Sequence, residues 1–219
     1  MKNAENREKS DEPTATRPSL LAKAVRRLAR AGFERAGWSF EGRLPAARKF
    51  VLMGAPHTSN WDFLVFLGTV QALGLTPRFI GKDSLFRGPM GNFMRGLGGV
   101  PVDRRASRDM VAQIAARIRA AEEYALVIAP EGTRSPNRHW RSGFYRIALA
   151  AGVPILCVGP DYKRRRGVLG PLIEPTGDFE RDMEPAWAFF RTLAPKHPER
   201  AMFPDGYGME MPVGDPSKS

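Results

Sequence analysis

KFVLMGAPHTSNWDFLVFLGTV, residues 49–70, sets two patterns back to back. Residues 49 to 53 carry a short apolar run, too short for a helix and of the length of a buried strand. From residue 60 onward, Trp61, Phe63, Leu64, Phe66, Leu67 and Val70 are spaced for a helix, and Ser59 or Asn60 is placed to cap it. Between the two lie His57 and Asp62, five positions apart. Inside one regular helix that spacing would turn the side chains about 500° relative to each other and separate them. With His57 in the strand-to-helix turn and Asp62 in the first helical turn, the carboxylate can fold back toward the imidazole. The ring then becomes a general base with a fixed tautomer. A second reading stays open on these residues alone: a locally bonded histidine, and an aspartate that complements a helix N-terminus.

Working outward, the pattern repeats. Strands are expected at 78 to 81, 99 to 103, 124 to 129, 153 to 158 and 168 to 173. Helices fall between them: an irregular one at 85 to 97, a long one starting at Ser107 or Asp109, and others at 142 to 151 and 179 to 193. Alternation of this kind predicts an α/β fold in one domain, with a mixed, mostly parallel sheet flanked by helices. Ahead of it, residues 20 to 28 space Leu20, Leu21, Ala24, Val25 and Leu28 on one side of a helix, against Lys23, Arg26, Arg27 and Arg30 on the other. The expected organisation is a disordered arm (1–17), a basic amphipathic helix and connector (18–48), the α/β domain (49–207) and a flexible tail (208–219).

Charge narrows the partners. Lys and Arg number 34 against 23 Asp and Glu, a net +11, and residues 18 to 49 alone hold eight basic and two acidic side chains. A localised positive region calls for an anionic partner. Nucleic acid is the weaker choice, because the basic stretches lack interleaved aromatics and no recognised binding module is present. No apolar run reaches the roughly 18 to 20 residues of a membrane span, and the first residues do not read as a signal peptide. The single Cys157 rules out an intramolecular disulfide or a cysteine-built zinc site and fits a reducing cytoplasm. It stands in the apolar run 155 to 158, as a buried thiol rather than a nucleophile. His139 and His197 read as surface histidines.

Ligands of open α/β sheets bind beyond the carboxyl ends of strands. Besides the His57 turn, two polar clusters fall there: VPVDRR at 100 to 105 and APEGTRS at 129 to 135. Arg104 can bind a phosphate bidentately, whereas Arg105 reads as a solvated partner of Asp103 and Asp109. Glu131 can accept from a hydroxyl, Gly132 permits close backbone approach, and Arg134 can hold an anion, although a turn with a surface ion pair explains these residues equally well. Lys82, after its strand, is a weaker candidate for an anion contact and reads first as an exposed lysine. Residues 163 to 166 (KRRR) read as a solvated turn. Motifs for a serine-elbow hydrolase, a phosphate-loop NTPase, a zinc protease or a dinucleotide enzyme are missing.

Four ordered blocks resemble the glycerolipid acyltransferases related to 1-acylglycerol-3-phosphate acyltransferase. HTSNWD (57 to 62) resembles the family's H-x4-D, GVPVDR (99 to 104) its second block, PEGTRS (130 to 135) its third and GVPILCV (152 to 158) its fourth, with Cys157 where the family commonly has a second proline. The resemblance implies transfer of a fatty acyl group from acyl-CoA or acyl carrier protein to a hydroxyl of a lysophospholipid-like acceptor, with no metal or bound cofactor. His57 is then the base and Asp62 its orienting carboxylate. Arg104, Glu131, Gly132, Thr133 and Arg134, with Lys82, are implied as acceptor contacts, and the fourth block as part of the acyl or oxyanion environment. It also implies a cytoplasmic protein held peripherally on the inner face of the membrane, with residues 19 to 38 lying in the anionic interface. Packing of that helix on its own domain is the competing expectation. The remaining alternative is a non-catalytic basic protein that binds a membrane surface or nucleic acid.

Overall fold

A computed structural model describes residues 20–102, 107–132 and 140–204. The proposed arm and tail lie outside the described residues. The described residues begin with α1 (Leu20–Arg35), followed by β1 (Ser39–Glu41), β2 (Lys49–Gly54), α2 (Asn60–Ala72), β3 (Pro77–Lys82), a 3-10 turn (Asp83–Phe86) and α3 (Gly88–Gly96). It continues through β4 (Gly99–Val102), α4 (Ser107–Ala120), β5 (Tyr124–Ile128), α5 (Gly143–Ala151), β6 (Ile155–Asp161), β7 (Arg166–Ile173) and α6 (Phe179–Arg191). The seven strands form one sheet in the order β1-β7-β6-β2-β5-β3-β4. Every pairing is parallel except β6 with β7. The expected α/β architecture is therefore observed. β1, which lies inside the stretch read as a connector, is an additional edge strand paired with β7.

Helices cover both faces, so β2 is apolar on both sides and its residues alternate between two cores. Val51 and Met53 pack with Ile114 and Ile118 of α4, Phe144 and Ile147 of α5 and Trp187 and Phe190 of α6. Phe50 and Leu52 face the other way, into the layer of Phe66, Leu67 and Val70 on α2. Cys157 is fully buried in the first core, and burial pushes its thiol pKa up, as a structural cysteine requires.

α1 packs along α2, with Phe33 buried. The close approach needs Gly68: a Cβ there would lie 2.5 Å from the Phe33 ring. At the other end of α1, Arg26 Nη2 donates to the Gly96 carbonyl of α3 at 3.2 Å. Packing on its own domain, the competing expectation, thus accounts for the buried side of this helix. Leu28 remains exposed. No described helix is long and apolar enough to cross a membrane.

The strand order explains where a ligand belongs. From β2 the chain crosses to β3 on one side, whereas from the neighbouring β5 it crosses β2 to reach β6 on the other. Connections that leave adjacent parallel strands in opposite directions open a crevice between their carboxyl ends. Those two ends carry the His57 and Glu131 loops.

Candidate active site

The turn after β2 resolves the five-residue spacing. Ser59 is the N-cap of α2 and Asp62 the third helical residue, forming a reciprocal capping box. Asp62 Oδ2 accepts from the backbone N–H groups of Thr58 and Ser59, each at 2.6 Å, and Oδ1 accepts from the Ser59 hydroxyl at 3.1 Å. His57 stands outside the helix, with Nδ1 3.7 Å from Asp62 Oδ2. That distance is an electrostatic pairing and lies beyond hydrogen-bond length. One carboxylate therefore caps the helix and also faces the imidazole. Asp62 is only 5% exposed, and its charge is held by oriented donors rather than by water.

A further donor comes from far along the chain. Tyr162, just past β6, donates its hydroxyl to Asp62 Oδ1 at 2.7 Å. Burial, and then the bond to Asp62, hold this phenol above its ordinary pKa, so it stays a donor. Its ring meets Trp38 edge-on at 5.0 Å, and Lys196 lies over both Tyr162 and Trp61. Sequence reasoning did not find Tyr162. It stands 100 residues from Asp62, beside the basic turn read as solvated. In that turn Arg164 bridges Asp161 and Glu41, as expected of a paired surface cation. His197, read as a surface histidine without a partner, pairs through Nδ1 with Glu199 at 3.3 Å, and its backbone N–H reaches Thr58 Oγ1 at 3.4 Å.

Glu131 joins the two loops of the crevice: its Oε1 accepts from the His57 backbone N–H at 2.8 Å. The residue is buried. Desolvation raises its carboxyl to about 7 against two backbone N–H donors, its own and that of His57, and nearby Asp62 adds to the rise. Through that bond the side chain fixes the main chain of His57. Gly132 adopts a left-handed φ of 66°, and a Cβ there would stand 2.9 Å from Arg141 Nε. Both reasons favour glycine. Lys82 closes β3 in register with Val102, and its side chain lies outside the described part. Arg104, Thr133, Arg134 and His139 also lie outside the described residues.

Behind His57 opens a cavity of about 150 Å3. Its wall is almost wholly apolar, from Phe63, Val65 and Phe66 of α2, Val127 and Ile128 of β5, and Val158 and Gly159 of β6, with His57 and Asp62 as its polar margin. Gly159 is required where strand and turn nearly touch, since a Cβ would lie 2.3 Å from the Ala55 carbonyl oxygen. An imidazole, a buried carboxylate and an apolar chamber thus meet at the switch point.

The chain belongs to the acyltransferase family. That family's model matches residues 39–159, from β1 through most of β6, and includes both the His57 turn and the Glu131 turn. Among solved structures the chain is similar to the 1-acyl-sn-glycerophosphate (LPA) acyltransferase PlsC from Thermotoga maritima. The TM-score is 0.52 and the identity 23%, over 74% of this chain and 73% of that one, which establishes a shared fold. No curated protein matches the chain. The family resemblance read from the four blocks is borne out by these findings.

Proposed function

We propose that the protein moves a fatty acyl group from an acyl thioester, acyl-CoA or acyl carrier protein, to a hydroxyl of a lysophospholipid-like acceptor at a membrane surface. One observation carries this reading above all: His57 stands at the polar margin of an apolar chamber, paired with a carboxylate that five donors hold in place. Nδ1 faces Asp62, and in this scheme the other ring nitrogen, Nε2, serves the acceptor. The hydroxyl oxygen attacks the thioester carbonyl carbon as Nε2 takes its proton. The C–S bond breaks, and the imidazolium returns the proton to the departing thiolate. Asp62 lowers the barrier by stabilising the imidazolium that forms in between. The chamber takes the acyl chain, and its β6 wall is the fourth block, in keeping with the acyl environment expected of it.

Access from a membrane is supported by the margin of this site. Trp61, Phe63 and Leu64, at the start of α2, are 57%, 52% and 49% exposed, and Lys196 sits 4.8 Å over the Trp61 ring. Exposed large apolar groups beside a cation suit the headgroup boundary of an anionic bilayer, and they flank the chamber where an acyl chain would enter.

Purified protein supplied with labelled acyl-CoA or acyl carrier protein and a panel of lysolipids tests the proposal. The wild type forms acylated product, His57→Ala loses at least about two orders of magnitude, and Asp62→Asn falls between them. A His57→Ala protein that keeps most of the wild-type rate refutes the mechanism.

A further inference from the structure

A second concavity, of about 250 Å3, lies at the other end of α2, lined by Arg26, Arg27 and Arg30 of α1 with Gln71 of α2. Nine residues of helix separate Gln71 from Asp62, about 14 Å along the axis, so this is a site apart from the chamber. No carboxylate lines it. Its polar groups are nearly all donors, and two of them, Arg26 Nε and Gln71 Nε2, are buried with no hydrogen-bond partner among the described residues. Both atoms are shielded from solvent, and their missing acceptors cost about 1–3 kcal/mol each, so this end of the α1–α2 contact carries donors in excess of acceptors. Arg26 is already anchored, through Nη2, to the Gly96 carbonyl. Arg30 is steadied through Nε by Glu34 one turn along at 2.8 Å. Burial first, and the neighbouring Arg78 second, lower the Arg26 pKa.

We propose that the Arg26, Arg27, Arg30 and Gln71 concavity is an anion site for a phosphate group, which three guanidinium forks and an amide are shaped to hold. Guanidinium groups pair with phosphate oxygens bidentately, and Gln71 completes the lining. The phosphate is either the headgroup of an anionic phospholipid or a free phosphate ester. The inference deepens the membrane-surface part of the proposed function, and because its readout is binding it stands or falls separately from catalysis.

The test uses the full chain with phosphatidylcholine vesicles, with and without phosphatidic acid, and with glycerol 3-phosphate and inorganic phosphate in solution. Arg27→Gln with Arg30→Gln weakens binding to the anionic vesicles about tenfold or more. Arg146→Gln with Arg181→Gln, which removes the same charge from α5 and α6 on the opposite face, changes it much less. Gln71→Glu supplies an internal carboxylate to the arginines, so it raises the unfolding temperature while abolishing anion binding. Competition by the soluble phosphates identifies a site open to free esters. Saturable vesicle binding that they do not displace identifies a headgroup site, and either supports the proposal. Equal losses from the two arginine pairs, or a Gln71→Glu protein that binds as the wild type does, overturn it.

Discussion

Glu131→Gln is the substitution whose effect the structure specifies most closely. The carboxyl titrates near 4.5 in an unfolded chain and at about 7 in the fold, chiefly because burial penalises the charge. The folded state therefore keeps its proton over a range in which the unfolded state has lost it. Stability is full below pH 4.5, falls by about 1.4 kcal/mol for each pH unit above that, and levels off beyond pH 7, for a total of about 3 kcal/mol. Glutamine cannot ionise, yet its Oε1 still accepts the His57 N–H. In urea unfolding at a series of pH values spanning this window, the variant gains steadily on the wild type as pH rises, by about 3 kcal/mol across the window. All other titrating groups are shared and cancel in the difference. A constant offset between the two proteins, independent of pH, would show that Glu131 is ionised throughout and would refute the reasoning.

Tyr162→Phe removes one of the donors on Asp62 while keeping the ring against Trp38. A loss of about 1.5–3 kcal/mol in stability is expected from a bond to a buried charge, and kcat falls with KM nearly unchanged. The pH-rate profile shifts as well, because the carboxylate facing His57 is less firmly held; an unmoved profile would make the tyrosine merely structural. Gly68→Ala forces Phe33 off the α2 surface and costs on the order of 1–3 kcal/mol in thermal unfolding, since the bulky ring sits in a packed layer. Trp61→Ser with Phe63→Ser, both exposed, leaves the unfolding temperature close to the wild type's and reduces cosedimentation with anionic vesicles. Unchanged cosedimentation would move the membrane contact away from the chamber margin.

The elements that read most clearly in the sequence are those whose causes are local. The capping residues Ser59 and Asp62 place the start of α2, and the apolar run before them places β2, so the turn that carries His57 follows from residues a few positions away. β1 escaped notice because three residues, two of them exposed, carry no alternation, and the strand exists only because β7 offers an edge. The role of Glu131 was hidden for a related reason. It is a polar residue in a turn, and nothing near it in sequence reveals that β5 lies beside β2 and delivers the carboxylate to the His57 N–H. Tyr162 belongs with these, as its value comes from a contact across the sheet. The side of α1 that packs on α2 was equally ambiguous, since an apolar stripe looks the same whether it meets lipid or protein.

The path of the first helix has a practical consequence. α1 is latched to the end of α3 by Arg26, lies along α2, and runs into β1, which is stitched to the opposite edge of the sheet. Trimming the chain to about residue 40 would strip a strand from one border, uncover the back of α2 and take away the Trp38 ring that abuts Tyr162. Weaker vesicle binding by such a shortened protein would follow from damage to the His57 turn as readily as from a missing anchor. Point changes on the intact strap are the cleaner instrument for testing the proposed membrane contact.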